Sequence, residues 1–392
     1  MIYVGIDVAK AKHACCILDA KGNVLRGTFV FANNLEGLSQ LKAAILAAAE
    51  SQDDQQVKAG LEATGHYSEN LLDFLRLSGY DPVIFNPLQV KRFRQSLSLR
   101  KTKTDQIDAK CIAQLLMSDT SSPARPSYQN QELKSLTRHR SRLVAQRSKA
   151  KVQYGRLIDL LFPELSSVCW SISQVSMLAL LKALPGARKI ALCRVDRLTT
   201  ILIQHSAGKY RREKALQIKE LARQSIGRQS EALSFELQQV IDQIEFFNRQ
   251  IKALDQQLKQ MVTDLNTPLT TIPGIGYRLA AIILAEIDDI ARFASPDQLL
   301  AYAGLDPSTY ESGSFNADRT PMSKRGSTYL RWALMQAARL AARRCPELNL
   351  YMEKKLAQGK HYFVALGHVT KKLVRLIFCL LKKNEPYVPQ IA

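Results

Sequence analysis

Eight apolar residues between Leu233 and Leu258 recur in steps of four, three, four, three, four, three and four: Leu233, Leu237, Val240, Ile244, Phe247, Ile251, Leu254 and Leu258. A heptad seam of that length must be covered by another helix laid along it. Upstream, the stretch "NQELKSLTRHRSRLVAQRSKAKVQYGRLIDLLFP" has helical periodicity, is very basic and is halted by Pro163. The two segments predict a coiled-coil arm, formed either between copies or as a helical hairpin in one chain. Between about 170 and 222 the pattern holds shorter helices around "LPGARK" and "SAGKYRREK".

Ahead of the arm the periodicity changes. "IYVGIDVA" and "HACCILD" read as strands, "AKGN" as a turn and "VLRGTFVF" as a returning strand. Residues 35–50 have helical spacing, "VKAGLEAT" (57–64) is a further strand, "YSENLLDFLRLSGY" (67–80) a helix ending near Gly79, and "PVIFNP" (82–87) a short strand. This alternation predicts a helix-covered sheet, an α/β layer. Beyond the arm, "LTTIPGIGYRLAAIILAEI" (269–287) is a candidate helix-hairpin-helix, with Gly274 and Gly276 letting backbone N–H groups approach a phosphate. A glycine turn between two buried helices has the same appearance.

Charge narrows the partners. Fifty-five Lys+Arg against 35 Asp+Glu give a formal net charge of +20, which favours a polyanion through counterion release. Membrane insertion is disfavoured, because "LVRLIFCLL" (373–381) falls far short of the roughly eighteen apolar residues a span needs, and "MIYVGIDVAK" does not read as an export signal. Seven scattered cysteines with no CxxC, and six histidines with no HxH or HxxxH, exclude a zinc site and a disulfide framework. They predict reduced thiols in a cytoplasmic protein. Any metal would need oxygen ligands.

Four acids could supply them. Asp7 ends one predicted strand and Glu62 another, the latter among Ala, Gly and Leu where a solvated acid is out of place. Asp105 and Asp108, in "KTKTDQIDAK", stand three apart on a helix and point the same way. Singly these residues read as a turn cap and a wet helix face. Together they form a donor set for a pair of Mg²⁺ ions, which in line can stabilise the attacking and leaving oxygens of a phosphodiester. Arg92, Arg94, Arg100, Lys101 and Lys103 would hold a nucleic-acid backbone beside them.

The segments "YVGIDVAKAKH", "LEATGHYSENLLDFL" and "VKRFRQSLSLRKTKTDQIDAKCIAQLL" resemble the N-terminal RuvC-like domain of the insertion-sequence-110 family of DEDD transposases, which includes the Piv pilin-gene invertases. The resemblance maps D-E-D-D onto Asp7, Glu62, Asp105 and Asp108. It continues in "LAYAGLDPSTYESGSFNADRTPMSKRGSTYLRWALMQAA" (300–338), in itself a polar, turn-rich loop followed by a helix with Lys324, Arg325 and Arg331 around its first turns. In that family the serine of the Tyr-x-Ser-Gly motif is the nucleophile, which implies Ser312 here, with Ser308, Ser314 and Ser323 as neighbours. Gly313 would let backbone approach the phosphate, and Lys324, Arg325 and Arg331 would neutralise it.

The fold expected is therefore α/β plus α: a RuvC-like (RNase H-like) domain over 1–128, a coiled-coil helical domain over 129–265, and a mostly α-helical transposase domain over 266–392. The resemblance implies a DNA transposase or site-specific recombinase working through a phosphoserine intermediate with Mg²⁺. It also implies donor and target DNA, a structured bridge RNA as guide, a dimer or tetramer, and a nucleoid-associated bacterial location. The competing reading is a RuvC-like junction endonuclease using metal-activated water. A sugar-kinase or actin-like ATPase is disfavoured, because "DVAKAKH" lacks the glycine and hydroxyl residues of a phosphate loop. A purely binding protein would be indifferent to Asp7 and Glu62.

Overall fold

The first strand, Ile2–Asp7 (β1), is apolar along its length because both of its faces are covered. It sits at the centre of a five-stranded sheet with β2 (Lys12–Leu18), β3 (Val24–Ala32), β4 (Val57–Glu62) and β5 (Val83–Phe85), in the order β3-β2-β1-β4-β5. β1, β2 and β3 are antiparallel neighbours, whereas β4 runs parallel to both β1 and β5. One face carries Ile2, Val4, Ile6, Cys15, Ile17, Ala59 and Leu61 onto α1 (Leu35–Gln52) and α2 (Glu69–Leu77). The other is covered by α4 (Asp105–Ser118), which follows α3 (Pro87–Leu97) and packs Ala109, Ala113, Ile112 and Leu116 against the strands. The helix expected at 67–80 opens as a 3-10 turn, Gly65–Ser68, and closes at Gly79 as predicted.

This computed structural model describes residues 1–52, 56–62, 65–80, 82–97, 104–118, 128–308, 311–312, 315–316 and 320–389, the backbone alone at 128–129, 311–312 and 315–316. Arg100, Lys101, Lys103 and Gly313 lie outside the described residues. The chain divides into two compact units, Met1–Arg125 and Pro126–Ala392.

In the second unit α5 (Tyr128–Leu161) precedes four short helices, α6 (Val175–Ala183), α7 (Ala187–Leu192), α8 (Val195–His205) and α9 (Arg212–Arg223). Then come α10 (Glu231–Asp264), α11 (Tyr277–Ile287), α12 (Pro296–Tyr302), the strand pair β6 (Glu311–Ser312) and β7 (Phe315–Asn316), and helices α13 (Thr328–Arg344), α14 (Pro346–Ala357) and α15 (Tyr362–Lys383). "LPGARK" and "SAGKYRREK" straddle junctions between short helices.

The heptad seam finds its cover within the chain. α5 and α10 run antiparallel, with Arg140 on Asp255, Arg147 on Asn248 and Arg156 on Glu236 stepping along the pair. Leu237, Val240, Ile244, Ile251 and Leu258 are buried, whereas Leu233, Phe247 and Leu254 are only half-buried, and next to Leu254 Asp255 takes an inward position. The charge is tolerated there because Arg140 and Arg278 both bind its carboxylate. Tyr154, Leu157, Leu161 and Phe162 at one end of the hairpin pack with α6–α9; Leu258 and Val262 at the other pack with α11 to α15. The seven cysteines are all unpaired, and only Cys379 is exposed.

Candidate active site

Strand alternation decides where the first two acids face. Asp7 lies opposite Ala14, which packs with Ala109 and Ala113 of α4, so Asp7 faces α4. In the parallel pair Ile6 lies beside Leu61, which makes Asp7 and Glu62 the next neighbours in register. Gly60 faces Phe85 and Leu116, so Glu62, two residues on, faces the same layer. The two carboxylates thus stand at the C-terminal ends of adjacent parallel strands, on one face of the sheet.

α4 closes on that face at unusually short range. A Cβ on Gly5 would lie 2.3 Å from both Ala109 O and Ala113 N; only glycine lets the helix backbone touch β1. Asp108 immediately precedes Ala109 and is buried, with Arg94 Nη1 2.5 Å from its Oδ1. One turn on, the Cys111 thiol is pushed up to about 11, first by burial and then by the charges of Asp108 and Glu62, with Arg94 acting in the opposite sense. Glu62 and Asp108 therefore share one electrostatic neighbourhood. Asp105, in the same first helical turn, is exposed. Thr104 Oγ1 accepts from Ile107 N at 3.3 Å to cap the helix start, where carboxylates are favoured by the helix dipole.

Three of the four expected acids thus come to one layer, and Asp105 opens outward beside them. Four carboxylates suit a hard divalent cation. As the side chains lie, no three Asp, Glu, His or Cys among the described residues stand close enough to hold an ion, and Arg94 engages the one buried carboxylate of the set. Of the arginines expected beside the acids, Arg94 binds Asp108 and Arg92 is exposed.

The serine loop is a hairpin. Pro307 and Met322 bridge in antiparallel fashion, Ser308 donates to Pro321 O from both N and Oγ at 2.8 and 2.7 Å, and Ser323 Oγ donates to Asp306. Further out Ser312 pairs with Phe315 across the β6–β7 ribbon. The returning chain turns through Lys324 in the left-handed region (φ 52°) before α13 begins, so Lys324 and Arg325 precede the helix instead of lying on it. Both are exposed. Arg331 is more committed than expected, for its Nη1 donates to Ala303 O at 3.2 Å.

A buried network missed in the sequence fixes the foot of this hairpin. Ser327 caps α13 by accepting from Leu330 N, and its Oγ donates to Glu286 Oε2 at 2.7 Å. Glu286, 1% exposed, also receives Arg138 Nε and Nη2 at 2.8 and 3.0 Å. Burial raises the Glu286 pKa, but the hydrogen bonds from Arg138 and Ser327 and the charges of Arg138 and Lys134 outweigh it and hold it below its ordinary value. The signal was legible: an acid inside the apolar run "LAAIILAEI" is as anomalous as Glu62 in its strand.

At the candidate helix-hairpin-helix, a 3-10 turn (Pro268–Thr271) leads through the glycines into α11. Gly274 has φ 101°, and a Cβ there would lie 2.8 Å from Ala341 N in α13, so this glycine serves helix packing. Gly276, at the helix start, is exposed and open to approach.

Residues 4–163 match the family model of DEDD transposases of the IS110 type, and residues 266–353 match that of the IS116/IS110/IS902 transposase family. The chain is 25% identical over 406 residues to the 44.8 kDa protein of insertion element IS116 of Streptomyces clavuligerus, covering 99% of this chain and 96% of that protein. It is likewise 25% identical over 397 residues to the pilin gene-inverting protein of Moraxella bovis, covering 99% and 98%. Among solved structures, T. thermophilus RuvC in complex with a Holliday junction substrate aligns with 29% of this chain and 90% of its own at 14% identity, with a TM-score of 0.21, too slight a likeness to argue from. The matched segments contain both the Asp7, Glu62, Asp105 and Asp108 set and the Ser312 hairpin: the chain belongs to the IS110 family of transposases.

Proposed function

We propose that this transposase cuts and rejoins DNA through a covalent phosphoserine intermediate, with the carboxylates of a RuvC-like domain holding divalent ions and the hydroxyl of Ser312 as the nucleophile. The observation that carries the reading is the shared layer of Asp7, Glu62 and Asp108, held by the contact of α4 with Gly5. Asp7, Glu62, Asp105 and Asp108 would hold divalent ions, Mg²⁺ by the hardness of their oxygens. When bound, such ions supply Lewis-acid polarisation of the scissile phosphate.

The chain's own residues do the rest. Ser312 Oγ forms a bond to phosphorus as the bond to the departing sugar oxygen breaks, and the serine proton ends on that oxygen. The phosphodiester energy is kept in the O–P bond, so a DNA hydroxyl can reverse the step and rejoin strands without net hydrolysis. Lys324 and Arg325, exposed just beyond the hairpin, would meet the phosphate charge, and Gly313 would admit its backbone. Arg100, Lys101, Lys103 and the open helix start at Gly276 would track the nucleic-acid backbone, with Arg331 buttressing the loop.

Three functional segments follow: 1–128 for the acids, 129–265 as helical arm, 266–392 for the serine. The bridge RNA guide and the dimeric or tetrameric unit are supported by family membership and the +20 charge; donor and target DNA, and a bacterial cytoplasmic, nucleoid-associated setting, accord with them. Among the described residues, no helix is long and apolar enough to cross a membrane.

The test is a search for a DNA strand covalently attached to the protein after denaturation and proteolysis. The adduct is expected on Ser312 and should vanish in Ser312→Ala, while Asp7→Asn should slow its formation by roughly three orders of magnitude, the scale of losing a preorganised electrostatic group. Cleavage that persists in Ser312→Ala would favour the junction endonuclease.

A further inference from the structure

From the contact between Arg94 and Asp108 we infer that Arg94 is a resident counter-cation of the acidic cluster, which a divalent ion must displace from Asp108 in order to bind. This rests on the proposed metal-binding role of the four acids. Asp108 has a side chain only 5% exposed, and Arg94 Nη1 sits 2.5 Å from its Oδ1. A carboxylate so far out of water is costly without a partner of opposite charge. Arg94 comes from α3, an element outside the sheet and helix that carry the acids, and its own side chain is 25% exposed. The guanidinium can therefore swing out to solvent without unpacking the core; Asp108 cannot.

The exchange follows from charge and geometry. Mg²⁺ or Mn²⁺ needs carboxylate oxygens at close range, and a guanidinium held on the same carboxylate would face a dication across a few ångströms of poorly screened space. Asp7 and Glu62 face the same layer as Asp108. A dication brings more charge to the same place. The ion-free chain thus stays folded with its buried Asp108 neutralised by Arg94, and the ion's apparent affinity is lowered by the work of displacing it.

Mn²⁺ binding to the full-length protein without nucleic acid, counted by the electron paramagnetic resonance signal of the free ion, tests the idea. Arg94→Ala should bind Mn²⁺ tighter than wild type, by roughly ten- to a hundredfold, the usual span of coupling between competing ligands. Its melting temperature without metal should fall and be restored by Mn²⁺. Arg94→Lys, which keeps a charge but loses the planar fork, should lie between the two and guards against a folding defect in the alanine variant. Equal or weaker Mn²⁺ binding in both variants would overturn the inference, and weaker binding would identify Arg94 as a support for the metal-bound state. Asp7→Asn separates the two levels of the argument. If it leaves Mn²⁺ binding unchanged, or if wild type binds none, the carboxylate site fails, and the exchange with it.

Discussion

At the residue scale, the closeness of α4 to β1 makes Gly5 the most sensitive position near the acids. Gly5→Ala has to push the helix backbone outward from a 2.3 Å encounter, at a cost of about 1–3 kcal/mol for overpacking. A lowered midpoint in urea is expected, together with a loss of adduct formation larger than the stability change explains, since Asp108 moves with the helix. His13 gives the first unit a pH dependence. It is fully buried, its Nδ1 accepts from Ala9 N at 3.3 Å, and among the described residues its Nε2 has no hydrogen-bond partner. Burial, only partly offset by Asn33, lowers its pKa below the ordinary 6.5. The unfolded chain therefore takes up the proton first, and stability should fall as pH drops below about 6.5. Urea denaturation at pH 7 and pH 5 measures this, and His13→Phe should flatten the slope. The acids themselves were legible because a carboxylate at the end of an apolar strand breaks its own pattern. The Arg94–Asp108 contact was not, since side-chain pairing between two helices leaves no periodic trace.

At the scale of elements, the pair of α5 and α10 was visible in its spacing, but whether they close on each other within one chain was not. A heptad seam specifies that something covers it, and the complementary basic helix lay upstream; only the cross-pairs from Arg140–Asp255 to Arg156–Glu236 decide for an intrachain cover. At Asp255 a buried carboxylate held by two arginines sits beside the half-buried Leu254, an electrostatic exception that a hydrophobic count cannot foresee. Ile244→Ala, within the buried stretch, should cost about 2–5 kcal/mol, read as an earlier thermal transition of the second unit. Glu286→Gln keeps the shape of the buried network but loses the charge that Arg138 and Ser327 address. Because Arg138 is 39% exposed on its side chain, solvent softens the loss, and about 2 kcal/mol is expected, the scale of a hydrogen bond to a charged group. Thermal denaturation of the variant checks that loss.

For the whole molecule, the excess of 20 positive charges sets how binding responds to salt. If six to ten phosphates are neutralised, affinity for duplex or structured RNA should fall by about 10³–10⁵ between 50 and 200 mM salt. Fluorescence anisotropy across a salt series gives the slope, and a flat response would deny that nucleic acid is the partner. The overall class, a sheet layer followed by helices, was readable because strand and helix periods differ. The β6–β7 ribbon was not, because its pairing depends on the fastened stem from Asp306 to Ser323 and not on any run of strand-forming residues.

Gly274 carries a warning for anyone mapping contacts by mutation. Its missing side chain makes room for α13, with Ala341 N 2.8 Å from where a methyl would sit. A screen for variants defective in grasping DNA will return this position, yet the defect originates in the protein's interior. Soluble yield of the purified variant, compared with that of Gly276→Ala, separates damaged architecture from a lost grip.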